Sequence, residues 1–211
     1  MIISFRHRFI FAAVPKTATH AVRVALRPHL GTRDWEQCGL FENKKFPVVA
    51  LAQIGHGHIT CQQVRPFLLP ALWESFFKFC TVRHPYDRFV SYCYFMNRDN
   101  QRMQKDPLGT MKQMIENKRD AQQVLFRPQC EFVFDQEGRL MVDYVSRFEA
   151  LQTHFDYICQ RVRLPRIQLQ HINVSGSALC RPCCDRELKE MVQAVYRRDF
   201  DSFDYPLDSS D

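Results

Sequence analysis

Two apolar runs, each breaking abruptly into a polar turn and then resuming at helical spacing, constrain this chain more than any other feature. The first is Phe9–Val14, followed by Pro15-Lys16-Thr17-Ala18-Thr19-His20. The second is Phe76–Val82, followed by Arg83-His84-Pro85 and a helical face of Phe89, Tyr92, Cys93 and Met96. Phe76–Val82 has no polar alternation except Lys78, which predicts a strand buried on both faces, as in a parallel sheet. Pro85 falls at the first position of the following helix, where its missing N–H costs nothing. In both segments a cation and hydroxyls stand where a strand ends and a helix begins, a place that can hold an anion. Two such breaks in one small domain predict a ligand with phosphate-like groups at both ends.

The rest of the chain extends the same alternation. The pattern predicts a helix over Thr19–Leu30 with Val22, Ala25, Leu26 and Leu30 on one side, stopped by Gly31. It predicts a second strand at Val48–Leu51. Thr60-Cys61-Gln62-Gln63 has capping-box spacing, and Pro66 kinks or ends that helix early. Short strands are expected at Glu131–Phe134 and Arg139–Val142 about a turn at Gly138. Helices are expected over Arg147–Val162 and Asp185–Tyr196, with the aromatics of the 199–206 tail packed back on the body. Strands alternating with helices indicate an α/β domain with a mostly parallel sheet.

At 211 residues the chain suits one substantial core, and no Gly/Ser-rich linker or repeat divides it. Its 29 Lys and Arg against 23 Asp and Glu give a formal charge of +6, which suits an anionic ligand. No long Lys/Arg run points to nucleic acid. No stretch reaches the ~18–20 apolar residues of a membrane span, and Phe9–Val14 lacks a signal-peptide cleavage site. Nine cysteines, several inside apolar runs (Cys80, Cys93, Cys159), favour a reducing, cytoplasmic location. Cys180-Arg-Pro-Cys183-Cys184 is half of a zinc site without a second half; a disulfide and plain thiols are the other readings.

A phosphate at Pro15–His20 would receive backbone N–H groups, the hydroxyls of Thr17 and Thr19, and the Lys16 ammonium. The loop contains no glycine and no Walker A pattern, which argues against an ATPase or ordinary kinase. Arg83 offers a planar fork of donors, and Ser91, about two turns into the next helix, adds a hydroxyl. The plainer readings are an uneventful strand-to-helix turn with a solvated Lys16, and a capping or ion-paired Arg83.

Taken together, these residues resemble those of a known family. Pro15-Lys16-Thr17-Ala18-Thr19 resembles the 5′-phosphosulfate loop of sulfotransferases that use 3′-phosphoadenosine 5′-phosphosulfate (PAPS). Val82-Arg83-His84-Pro85-Tyr86-Asp87-Arg88-Phe89-Val90-Ser91 resembles their 3′-phosphate motif. Gly57-His58-Ile59-Thr60, Arg127-Pro128-Gln129, Val145–Glu149, His171-Ile-Asn173-Val-Ser175 and the Asp199–Tyr205 ending are similar to the branch containing carbohydrate sulfotransferases and many bacterial members. Ala18 stands where that family usually has glycine, His20 where it has Ser or Thr, and His84 where it has Asn. Ala18 is expected to serve if its φ is negative, and His84 to alter only a helix cap.

The resemblance implies a P-loop-NTPase-like three-layer fold, a single sulfotransferase domain over 1–211, and transfer of a sulfuryl group from PAPS to an acceptor hydroxyl without a metal. It implies that Pro15, Lys16, Thr17, Ala18, Thr19 and His20 hold the reacting end of the donor, with Lys16 stabilising the leaving oxygen. It implies that Arg83 and Ser91 anchor the 3′-phosphate, and that His171, Asn173 and Ser175 close over the nucleotide. A histidine in the Gly-His-Ile-Thr segment, His58 with His56 as the runner-up, would be the base. The alternatives are a nucleotide-dependent phosphotransferase of P-loop-like fold and a non-catalytic nucleotide-binding protein. Nothing in 97–130 spells out whether the acceptor is a carbohydrate, glycolipid, peptide or small molecule.

Overall fold

The structure is a computed structural model that describes residues 1–39, 42–117, 123–170 and 185–207. In chain order its strands are β1 (Ile2–Ser4), β2 (Phe9–Ala12), β3 (Trp35–Glu36), β4 (Phe77–Val82) and β5 (Tyr144–Arg147). Its helices are α1 (Thr19–Leu26), α2 (Val49–Ala52), α3 (Cys61–Val64), α4 (Pro70–Ser75), α5 (Pro85–Met96), α6 (Arg102–Lys105), α7 (Pro107–Glu116), α8 (Cys130–Val133), α9 (Leu151–Arg161) and α10 (Arg186–Ser202). The chain divides into two compact units, one of residues 1–82 and 131–172, the other of 83–130 and 173–211.

The first unit is built on one five-stranded sheet in the order β3-β1-β2-β4-β5. β2, β4 and β5 are parallel neighbours, whereas β1 pairs antiparallel with both β2 and β3. The expected mostly parallel sheet is therefore corrected to a mixed one. The hairpin that makes it so, Ile2–Ser4 on Phe9–Ala12, hides in a short apolar N-terminus ahead of the predicted first strand. Alternation along the parallel strands separates two faces. Phe9, Phe11 and Phe79 join Val22 and Leu26 of α1 and Leu151, Phe155 and Ile158 of α9 in one buried cluster. On the opposite face, Lys78 is buried as a satisfied cation. Its ammonium donates to the carbonyls of Trp73 (3.0 Å) and Phe76 (2.8 Å) and pairs with Asp143 at 2.9 Å. Full pairing is the condition on which a buried charge is tolerated.

Several local expectations hold. Thr60 and Gln63 form the capping box, and α3 gives way at Arg65–Phe67 to a 3-10 turn containing Pro66. Three others are corrected. Val49–Ala52 is a helical turn, not a strand. Glu131–Val133 is helical, so the pair about Gly138 shrinks to a single bridge, Phe134 to Leu140. The helix expected from Arg147 starts later: Arg147 ends β5, residues 148–150 form a 3-10 turn, and α9 begins at Leu151, a boundary masked because Phe148 continues the apolar spacing of Leu151 and Phe155.

The second unit is helical. Asp106 caps α7 through the Gly109 N–H, and Asp185 caps α10 through that of Leu188, both at 2.9 Å. Phe89 and Tyr92 of α5 pack with Phe126 and Tyr196. In the tail, Phe200, Phe203 and Tyr205 are buried, as their aromatic spacing predicts.

Candidate active site

The loop after β2 takes its shape from two strained residues. Lys16 (φ 65°) and Ala18 (φ 63°) both occupy the left-handed region, while Thr17 between them keeps a negative φ. Alternating signs of φ turn successive N–H groups toward one side, the arrangement of an anion-binding nest. The expectation of a negative φ at Ala18 is thus corrected: Ala18 adopts the conformation glycine would, and does so as the residue that opens α1. Thr17 is fully buried and donates its hydroxyl proton to the Val14 carbonyl at 2.9 Å. That proton fastens the loop to the end of β2, leaving Thr17's backbone as the group able to donate to an oxyanion. Pro15 is buried, Lys16 and Thr19 are half-buried, and His20 is exposed.

His58 is brought to this loop. Its Nδ1 lies 2.7 Å from the carbonyl oxygen of Ala13, two residues before Pro15. A carbonyl can only accept, so Nδ1 carries the proton and Nε2 keeps its lone pair. Burial lowers the His58 pKa to about 3, the hydrogen bond to Ala13 offsets this only in part, and the nearby charge of Arg23 lowers it further. The ring is therefore neutral near pH 7. His56, the other histidine of the segment, has its ring centroid 6.1 Å from that of His58, and its Nδ1 accepts from the His58 backbone N–H at 3.3 Å.

The backbone carrying both histidines is tied down by Gln37, which is buried. Gln37 donates to the carbonyls of His56 (3.1 Å) and Leu51 (2.9 Å) and accepts from the Phe46 N–H (3.0 Å). Gly57 is required here because a Cβ would collide with the Gln37 carbonyl oxygen. Arg23, pressed into the same region, pairs with Glu36 at 3.2 Å.

Arg83 and Ser91 belong to the second unit. Arg83 follows the last residue of β4 and is 2% exposed; Ser91 lies on α5 and is buried. The backbone of Arg83 is held by the side chain of Gln129, which accepts from its N–H and donates to its carbonyl, both at 2.9 Å. Asp199 in turn accepts from the N–H groups of Gln129 (2.8 Å) and Cys130 (2.9 Å). Arg88 lies 4.0 Å from the Asp199 carboxylate and 4.7 Å from the centre of the Tyr196 ring. His84 makes no side-chain cap on α5; its ring packs among Tyr86, Phe200 and Tyr205.

Gln129 and Asp199 were visible in the sequence only as pieces of a resemblance, with no role attached. A polar residue between Pro128 and a buried cysteine is the signal that could have marked Gln129. His171, Asn173 and Ser175, and Cys180, Cys183 and Cys184, lie outside the described residues. Among the described residues, no group of three or more His, Cys, Asp or Glu could hold a metal ion, and no helix is long and apolar enough to cross a membrane.

Compared with known proteins, residues 1–206 match the model of the Sulfotransferase family, a span that takes in the first unit and the second as far as residue 206. No curated protein and no solved structure matches the chain.

Proposed function

The chain belongs to the sulfotransferase family, and from that premise we propose that it moves a sulfuryl group from PAPS to an acceptor hydroxyl. PAPS would supply the activated sulfuryl group, with the S–O bond to its 5′-phosphate breaking as the acceptor oxygen bonds to sulfur. Lys16 and the N–H groups of the 16–20 loop would hold the oxyanions at the reacting end and stabilise charge on the leaving oxygen. Arg83 and Ser91 would anchor the 3′-phosphate, so that binding energy far from the reacting bond positions it. His58 would take the acceptor's proton on Nε2. Its low proton affinity would rise beside an anionic donor, toward the range useful to a base.

The observation that carries this reading is the alternation of φ at Lys16, Thr17 and Ala18, an oxyanion nest in the segment that also bears the lysine. It supports a P-loop-like binding mode that does not need Walker A glycines. The parallel β2-β4-β5 half of the sheet, with helices on both faces, supports the layered fold the family implies. We take residues 1–211 as one sulfotransferase domain. A reducing, cytoplasmic setting agrees with the buried thiols of Cys61, Cys80 and Cys159.

The test is transfer of labelled sulfate from PAPS to a panel of acceptors headed by carbohydrate and glycolipid hydroxyls, alongside thermal shifts with adenosine 3′,5′-bisphosphate and with ATP/Mg²⁺. Stabilisation by ATP/Mg²⁺ alone would favour a phosphotransferase. Nucleotide binding without transfer to any acceptor would leave a binding protein.

A further inference from the structure

Strands β2, β4 and β5 have a second end, a full strand length from the Lys16 loop and so roughly 13 Å away for the four residues of β2. At that end the first unit holds a cavity of about 740 Å³, framed by the β1–β2 turn, the junction of α4 with β4, and the C-terminus of α9. Arg6, Arg8, Arg161 and Arg163 all line it, and all are exposed. Among the described residues none of the four forms an ion pair, whereas the exposed Arg139, Arg186 and Arg197 each pair with a carboxylate on their own segment. The lining therefore carries an excess of positive charge: of its two carboxylates Asp143 is paired with Lys78, which leaves Glu74 beside four arginines.

The backbone gives an independent observation. Arg8 (φ 53°) ends the hairpin turn, and Arg163 (φ 57°) follows the last turn of α9. There the Leu164 N–H returns to the Cys159 carbonyl at 2.8 Å. Both are left-handed positions of the kind glycine fills without strain. At both the chain carries arginine, and both arginines line the same cavity. Strain retained for a side chain is a sign that the side chain is used.

Tyr157 completes the wall. It is 44% exposed and packs on Tyr144 with centroids 4.6 Å apart. Beside it, the Arg161 guanidinium lies 5.7 Å from the centre of the Phe77 ring. We propose that this cavity binds a sulfate or phosphate monoester carried on a small hydroxylated molecule, at a site separate from the Lys16 loop. Planar guanidinium forks match tetrahedral oxyanions, and the Tyr157 face suits the apolar side of the carrier. Glu74 and Asp143, also in the lining, can accept from the hydroxyls of the carrier. The proposal stands independently of the donor reading.

The experiment titrates the full chain with glucose 6-sulfate, glucose 6-phosphate, unmodified glucose and a single-stranded oligonucleotide. Each is added to the free protein and followed by calorimetry, with Lys16→Ala titrated in parallel, where unchanged ester binding is expected because the site lies apart from the Lys16 loop. Binding of one or both esters, but not glucose, is expected, and the two ester arms distinguish sulfate from phosphate. The double variant Arg8→Gly/Arg163→Gly should lose roughly tenfold or more in ester affinity, the effect of losing two charge-assisted contacts. Its Tm should not fall, because glycine relieves both positions, so lost binding cannot be ascribed to unfolding. No ester binding by the wild type, equal affinity in the double variant, or binding of the oligonucleotide alone would each overturn the proposal.

Discussion

The side-chain amide of Gln129 pairs with the backbone of Arg83 as a neighbouring strand would, accepting from its N–H and donating to its carbonyl at 2.9 Å each. The pairing sits one residue past the end of β4. Arg83 is 2% exposed, and Gln129 and Asp199 are fully buried, so water cannot replace either bond. Asp199 fixes the position of Gln129 through two backbone N–H groups. The main chain from which the Arg83 guanidinium extends is thus set by a buried amide, itself set by a buried carboxylate.

Gln129→Met keeps the length of the side chain and removes both bonds. Each buried backbone group left unpaired costs about 1–3 kcal/mol. Urea denaturation should show a loss of that order. In the fraction that remains folded, affinity for adenosine 3′,5′-bisphosphate should drop with that of Arg83→Ala. A folded Gln129→Met protein that binds the nucleotide normally would show that the pairing serves stability alone.

Ala18→Gly should stabilise the protein. A left-handed L-residue is strained by about 1–2 kcal/mol, and glycine removes the strain while giving back part of the gain as unfolded-state entropy. The expected net is about 1 kcal/mol, or ~2–4 °C in Tm for a chain of this size. A lower Tm would mean that the Ala18 methyl makes packing contacts worth more than the strain.

Lys16 and Arg83 should separate kinetically. If Lys16 stabilises charge that develops on the leaving oxygen, Lys16→Ala lowers kcat by roughly 10²–10³-fold with a smaller change in nucleotide affinity. If Arg83 anchors the 3′-phosphate, Arg83→Ala loses about 1.5–3 kcal/mol of binding. Calorimetry with adenosine 3′,5′-bisphosphate and single-turnover rates on each variant read the two effects apart. Equal losses in both measurements for both variants would remove the division of labour.

What was legible in the sequence is what depends on local chemistry. The run Phe77–Val82, Pro85 at the start of α5 and the Thr60–Gln63 box each declare themselves within a few residues. β1 and β5 did not, because β1 is three residues ahead of a turn with too short an apolar run to mark it, and β5 leads directly into the apolar spacing of α9. Lys16, Arg83 and His58 were legible as residue types in order. The φ of Ala18, the proton of Thr17 and the tautomer of His58 were not, since each is set by a loop closing on the end of β2. Gln129 and Asp199 act across 46 and 70 residues of chain, a separation no local pattern encodes.

His58 gives the last prediction its sign. Its pKa falls from 6.5 to about 3 in the folded protein, mainly through burial. Between those values the unfolded chain binds a proton at His58 that the folded protein does not. Stability from this residue is therefore complete above about pH 6.5 and declines as pH falls toward about 3, by up to about 1.4 kcal/mol per pH unit. His58→Asn can still donate to the Ala13 carbonyl but cannot titrate, so its stability should fall less steeply across the same window. If His58 is the base, this variant should also bind adenosine 3′,5′-bisphosphate while losing turnover, because an amide cannot take the acceptor's proton. Urea midpoints against pH for the two proteins, with turnover at neutral pH, separate the alternatives. Parallel pH curves would mean that His58 is not the group that titrates. Retained turnover in His58→Asn would move the base to another residue, with His56, whose ring centre is 6.1 Å away, the next to substitute.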